Sequence, residues 1–198
     1  MKIGVLALQG DFAEHLQALE RCAVQGSPIR RSFQLEDIDG LIIPGGESTT
    51  IAKLTNSDNT IFDTITNKIK SGMPVYGTCM GAIFLANEIE GSSQGRLGLM
   101  SIKVRRNGFG PQKASFESYI DIPCLAENGA KSEPFHAVFI RAPLILSHSP
   151  EVNVLAKLDQ SISENIIMAS QNNMLVSTFH PELTGDLRIH KYFLSMVE

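Results

Sequence analysis

Cysteine is scarce in this sequence: Cys22, Cys79 and Cys124 are three in number, widely separated, and never in CxxC spacing. An odd, scattered set argues against a disulfide framework or a zinc cluster and fits a reducing compartment. Positive charge is not in surplus either. Seventeen Lys and Arg against 21 Asp and Glu leave a net charge of −4, which gives no electrostatic reason to expect nucleic acid or an anionic membrane as partner. The one basic cluster, Lys103-Val-Arg-Arg106, reads as a solvated strand end unless one of its arginines meets an anion. No apolar stretch reaches the roughly 18 residues that span a bilayer. The opening run Met1–Leu8 is too short for a secretory core and lacks a cleavage site. Neither GxGxxG nor GxxxxGKS/T occurs, so nucleotide phosphate binding has no support. Internal repeats, low-complexity tracts and linkers are also missing. The expectation is a cytoplasmic protein with no membrane or nucleic-acid partner.

What remains is ordinary globular material. With 198 residues, 43% hydrophobic and 19% charged, the chain suits one well-packed domain over 1–198. Residues 2–8 and 38–43 read as buried strands, and Pro74–Thr78 as another. Asp11 is expected to cap a helix over 12–24 that buries Phe12, Leu16, Leu19 and Ala23. Ile61, Ile65 and Ile69 mark a helix over 58–70, stopped by Gly72, and residues 80–89 also look helical. The second half offers strands at 102–105, 116–122, 137–140, 152–158, 166–170 and 175–179. Asn172-Asn173 is a turn candidate between the last two, and Asp186 can cap a closing helix with Ile189, Phe193 and Val197. Alternating strands and helices followed by clustered strands predict an α/β fold. Its sheet is mostly parallel and open, with helices on both faces and an antiparallel extension.

The segment Val75-Tyr-Gly-Thr-Cys79-Met-Gly81 carries the most chemistry. G-x-C-x-G is the thiol counterpart of the G-x-S-x-G elbow, in which glycines two positions either side let strand and helix pack closely. At a helix N-terminus the peptide dipole and free N–H groups stabilise a thiolate, and the Met80 N–H would point towards an oxyanion. A free cysteine in an apolar run is usually structural. That reading holds for Cys22 and Cys124, whereas the glycines and the strand-to-helix position favour Cys79 as nucleophile.

A thiol nucleophile needs a base. His15 and His190 lie in helical patterns and His136 and His148 near strand ends, where surface or packing roles suffice. His180 ends a buried strand and is followed by Pro181-Glu182. Residues two apart in extended backbone share a side, so the carboxylate of Glu182 can orient the His180 ring. On its own His-Pro-Glu says little; with the elbow cysteine it completes a Cys-His-Glu triad. Pro44-Gly45-Gly46-Glu47-Ser48-Thr49 follows a strand, and its glycines allow N–H groups to approach a ligand. Gly46 and Met80 are therefore the two oxyanion donors expected. A plain turn with Ser48 or Thr49 as helix cap is compatible with that role.

These blocks resemble the class I, triad-type glutamine amidotransferases, and more narrowly the glutaminase subunits of pyridoxal 5′-phosphate synthase. The similarity runs from Ile3-Gly-Val-Leu-Ala-Leu-Gln-Gly10 to His190-Lys-Tyr-Phe-Leu194. Cysteine and HPE motifs are shared by many amidotransferases. Ser115-Phe-Glu117 is a further block of the resemblance, and Pro44-Gly-Gly-Glu-Ser-Thr49, Val104-Arg-Arg-Asn107 and Val138-Phe-Ile-Arg-Ala-Pro143 are narrower. The resemblance implies a flavodoxin-like fold, a triad of Cys79, His180 and Glu182, and glutamine contacts from Gly46, Glu47, Ser48, Arg106, Ile140 and Arg141. Gln9, ending the first strand, is placed near the same edge. The chain departs from the family's usual pattern at Pro111, in Phe109-Gly-Pro-Gln112, and at Asn56-Ser-Asp-Asn59, neither of which touches the triad.

The resemblance further implies hydrolysis of L-glutamine to glutamate and ammonia through a γ-glutamyl thioester, without metal or organic cofactor. The ammonia would pass to a synthase subunit in a hetero-oligomer that builds pyridoxal 5′-phosphate. Two alternatives stay open at this point. One is a glutaminase serving another synthase, such as that of imidazole glycerol phosphate. The other is a non-catalytic glutamine-sensing or docking module.

Overall fold

A computed structural model of the chain describes residues 1–46, 59–110, 115–126, 133–158 and 165–198. In chain order the strands begin with β1 (Lys2–Leu6), β2 (Gln25–Ile29), β3 (Gly40–Ile43), β4 (Val75–Thr78), β5 (Ala86–Ile89) and β6 (Met100–Arg105). They continue with β7 (Ser115–Ile120), β8 (Phe135–Ile140), β9 (Leu144–His148), β10 (Asn153–Lys157), β11 (Ile166–Gln171) and β12 (Met174–Ser177). The helices are α1 (Phe12–Arg21), α2 (Asn59–Lys70), α3 (Met80–Leu85) and α4 (Arg188–Ser195).

Ten strands form one sheet in the order β2-β1-β3-β4-β12-β11-β9-β6-β5, with β10 added alongside β11. The segment β2-β1-β3-β4-β12 is parallel throughout. From β12 onward, β11, β10, β9 and β6 pair antiparallel, and β5 returns parallel to β6. A separate antiparallel hairpin joins β7 and β8. The expected parallel sheet with an antiparallel extension is thus the observed one.

Strand side chains alternate between two faces, and the two apolar clusters follow that period of two. Leu41, Ile43, Val75, Met174 and Val176 join a cluster with Ile61, Ile65 and Ile69 of α2 and with α3. Their neighbours Ile42, Tyr76 and Leu175 point the other way, onto Leu19 of α1 and Ile189 and Phe193 of α4. Because both faces are covered, the central strands are buried at every position, β3, β4 and β12 all reading as unbroken buried runs.

Several expectations need correction. The run 80–89 is not one helix. α3 stops at Leu85, and Ala86–Ile89 pairs with β6, exposing Asn87 and Glu88. A short apolar run does not distinguish helix from strand by period alone, and the pairing edge of β6 decides it. Strands β2 and β9 were not anticipated, because Pro28 and the short Leu144–His148 run carry weak strand patterns. α1 ends at Arg21, leaving Ala23 exposed in a left-handed turn at φ 57°. Asp11 stands at its N-cap as expected, but its side chain makes no capping hydrogen bond. Asp186 accepts the Arg188 N–H at 3.0 Å from one position ahead of the α4 N-cap. The Asn172-Asn173 turn joins β11 and β12 as expected, with Asn172 at φ 52°.

Candidate active site

The triad and glycine-loop candidates lie where the parallel strands end, while Arg106 follows β6 and Ile140 and Arg141 close β8. Gln9 and Asp11 follow β1, Gly45 and Gly46 follow β3, Cys79 follows β4 and His180 follows β12. Since β3 pairs with β4 and β4 with β12, adjacent carboxyl ends bring together residues from 33 (Gly46 to Cys79) to 135 (Gly45 to His180) positions apart. Such an edge is where open α/β sheets bind ligands.

At the elbow, Cys79 adopts φ 47° and ψ −100° between β4 and α3. That left-handed conformation is rare for a residue with a side chain, and it aims the thiol out of the turn. Close packing enforces it. A methyl group on Gly77 would strike the backbone of Gly81, and one on Gly81 would strike the Ile43 carbonyl. Strand, helix and the end of β3 therefore meet only because both positions are glycine. The sulfur lies 3.8 Å from the Ile140 carbonyl oxygen, and Cys79 and His180 line the same cleft.

The His180 Nδ1 sits 2.8 Å from Glu182 Oε1. The contact arises differently from expectation. Pro181–Leu183 forms a 3₁₀ turn with Pro at its first position, and this turn, not extended backbone, folds Glu182 back onto the ring. A second carboxylate, Asp11, places Oδ2 3.3 Å from the same nitrogen. Burial by itself would hold the His180 imidazolium low. Hydrogen bonds with Asp11, Cys79 and Glu182 outweigh it and push the group up to about 12. Burial raises the Glu182 carboxyl, opposed by its bond to His180.

Below the ring, Gly45 presses backbone against imidazole, and a methyl group there would collide with His180 Cε1. Its N–H donates to Thr78 Oγ1 at 3.0 Å, tying the glycine loop to the residue before the nucleophile. Gly46 sits at φ 150° against the side-chain amide of Gln9. Gln9 thus borders the site as expected.

These groups open into a cleft of about 290 Å³ lined by Asp11, Gly46, Cys79, Met80, Ile83, Arg106, Asn107, Ile140, Arg141, His180 and Leu183. Of the expected residues, Gly46, Cys79, Met80, Arg106, Ile140, Arg141 and His180 share it, and Glu182 stands behind His180. Glu47 and Ser48 lie outside the described residues, as do Asn56–Asp58 and Pro111. Within Lys103–Arg106, Lys103 pairs with Glu88 and Arg105 with Glu90 on the outer surface, while Arg106 turns inward and donates to Gln94 at 3.1 Å. Arg141 follows β8 at φ 44°. Sequence reasoning missed Asp11, Ile83, Asn107 and Leu183 as lining residues. Asp11 was legible by the logic used for Gln9, its position past the end of β1.

A strained elbow cysteine, a histidine held by carboxylates, and a glycine loop beside them form the arrangement of α/β enzymes built on a nucleophile elbow, with a thiol in the nucleophile's place. Residues 5–198 match the SNO glutamine amidotransferase family, and the chain belongs to that family. Among its relatives are proteins called pyridoxal 5′-phosphate synthase subunit PdxT. That of Carboxydothermus hydrogenoformans is 56% identical over 100% of this chain and 98% of its own. That of Moorella thermoacetica is 52% identical over 100% of both chains. A crystal structure of a glutamine amidotransferase superposes with a TM-score of 0.88 at 43% identity, covering 98% of each chain. Among the described residues no helix is long and apolar enough to cross a membrane.

Proposed function

We propose that the chain is the glutaminase subunit of a pyridoxal 5′-phosphate synthase, a single domain over 1–198 that releases ammonia from L-glutamine for vitamin B6 synthesis. The observation that carries this reading is the convergence of Cys79, His180 and Glu182 at one sheet edge, beside a cleft with two arginines. Full-length identity of 56% to a protein of that name supports it. The free, odd-numbered cysteines favour a reducing, cytoplasmic setting.

In this mechanism Arg106 and Arg141 hold the glutamine α-carboxylate, with Gly46, Glu47, Ser48 and Ile140 completing the contacts. The Cys79 thiolate attacks the side-chain amide carbon. Negative charge moves to the carbonyl oxygen, which rests on the N–H groups of Gly46 and Met80; the first N–H groups of a helix have no partner within it. His180 passes its proton to the departing nitrogen as the C–N bond breaks, leaving a γ-glutamyl thioester and ammonia. Water then gives a proton to His180 and attacks the thioester, expelling the thiolate and releasing glutamate. Each step balances with side chains and water alone, so no metal or organic cofactor is required. Pyridoxal phosphate is the product of the partner subunit.

The test is glutamate release measured alone and with purified synthase subunits. Stimulation by a pyridoxal 5′-phosphate synthase subunit, with glutamine-dependent product formation, is expected. Stimulation only by the imidazole glycerol phosphate partner would reassign the subunit. Absence of turnover with every partner would leave a sensor or docking module.

A further inference from the structure

Behind the triad lies a chain of buried polar groups that the mechanism above does not use. His15 and His190 are both wholly buried, one on α1 and one on α4. His15 Nδ1 is 3.0 Å from His190 Nε2. On its other side, His15 Nε2 lies 3.2 Å from Thr78 Oγ1 and 3.5 Å from Glu182 Oε2. Thr78 Oγ1 is the acceptor for the Gly45 N–H, and Gly45 packs on the His180 ring. One imidazole therefore touches both the carboxylate that orients His180 and the threonine that anchors the glycine loop.

The proton positions follow from what is left without a partner. Among the described residues, Glu182 Oε2 and His190 Nδ1 have no conventional hydrogen-bond partner. If His15 carried its proton on Nδ1, His190 Nδ1 would be a buried N–H with no acceptor, the costlier kind of orphan. The bare Nε2 of His15 would also face a carboxylate oxygen, lone pair against lone pair. With the proton on Nε2, His190 donates to His15, and His15 directs its N–H between Thr78 Oγ1 and Glu182 Oε2. Both unfavourable contacts disappear.

We propose that His15, fixed in this tautomer by His190, is a positioning residue that holds Glu182 and the Gly45–Gly46 loop in register with Cys79. The inference rests on the glutaminase reading of Cys79, His180 and Glu182. Neutrality matters to the role. Burial, with His190 and His180 nearby, keeps His15 well below the usual histidine range, and burial takes His190 down to about 4. A neutral N–H directed between Thr78 Oγ1 and Glu182 Oε2 sets its positive end 3.5 Å from that oxygen without competing for the carboxylate's charge, which stays available to the His180 imidazolium. The charged or titratable groups facing Glu182 are His180, His15, Asp11 and the Tyr76 phenol. Those facing His15 are His190, His180, Glu182 and the edge-on Tyr76 ring, and Arg21 acts on His190.

Two readouts on the intact chain and its complex test this. The first is the pH dependence of Cys79 alkylation by iodoacetamide, followed on the Cys79 peptide by mass spectrometry. The second is kcat and KM for glutamine with the synthase subunit present. His15→Met removes the donor; His15→Gln returns an amide N–H near the place of Nε2. In His15→Met we expect kcat to fall roughly 10- to 100-fold with KM unchanged, the effect of losing a hydrogen bond to a charged group. The acid limb of alkylation should move up by about one pH unit, because Glu182 takes up a proton more readily and then supports the imidazolium less. His15→Gln should recover most of both. Equal behaviour of His15→Gln and His15→Met, at matched melting temperature, would overturn the proposal. Should His15→Met fail to fold, the pair His190→Gln and His190→Phe decides by the same readouts, with only His190→Phe expected to shift the limb. A wild-type profile that His180→Ala leaves unchanged would instead remove the triad reading itself.

Discussion

Asp11 sets its Oδ2 3.3 Å from the Nδ1 of His180, on the nitrogen that Glu182 already occupies. Two carboxylates of unequal exposure thus share one imidazole: Glu182 is buried, while Asp11 opens to the cleft. The buried one holds the ring, and the more exposed one adds negative charge beside the cleft.

Replacing Asp11 by Asn should therefore lower the His180 pKa without breaking the Glu182 contact. The folded value, raised to about 12, exceeds the ordinary 6.5. The charged ring consequently stabilises the fold fully below about pH 6.5, and this contribution is lost as pH rises towards the folded value. In Asp11→Asn that alkaline loss should still begin near pH 6.5 but be smaller and complete at a lower pH, measurable by urea unfolding across a pH series. The alkaline limb of glutaminase activity should move the same way.

Cys79→Ala should reduce glutamate release to background while the variant still binds the synthase subunit, since the elbow backbone tolerates a smaller side chain. Glutamate assays and co-elution on gel filtration check the two halves. Unchanged turnover would eliminate the thioester route.

Gly45→Ala inserts a methyl group into the His180 ring. Overpacking of this kind costs about 1–3 kcal/mol, readable by denaturant unfolding. Activity should suffer more, by at least about tenfold, because the displaced ring is the one proposed as the base.

Arg106→Met and Arg141→Asn should each raise KM for glutamine by roughly 10- to 100-fold, with a smaller effect on kcat, as befits a lost charge-assisted contact to the unreacting carboxylate. Asn suits position 141 because its φ of 44° is one that Asn tolerates. Steady-state kinetics with the complex separate KM from kcat. A fall in kcat alone would move these arginines from substrate binding to support of the partner.

Much of this molecule was readable from patterns that are local in sequence. The buried runs at 38–43 and 74–78 became central strands because an unbroken apolar run has only a two-sided sheet to fill. Ile61, Ile65 and Ile69 became one helix face for the same kind of reason. Gly77 and Gly81 announced the elbow, since their spacing matters only if strand and helix collide there. The split of 80–89 into helix and strand was not readable. Its outcome depends on β6, which offers hydrogen bonds that no feature of the segment itself encodes.

The sequence by itself determined the reagents: a thiol between spaced glycines, a histidine two residues before a glutamate, a glycine pair after a strand. Local chemistry and backbone geometry fix those. The tertiary structure alone decided which distant groups stand behind them. At the N-cap of α1, the Asp11 side chain turned to His180 in place of the helix, and His15 and His190 met across two helices under Glu182. Those choices follow from strand order and from the need of buried polar atoms to find partners, both set by the whole chain at once.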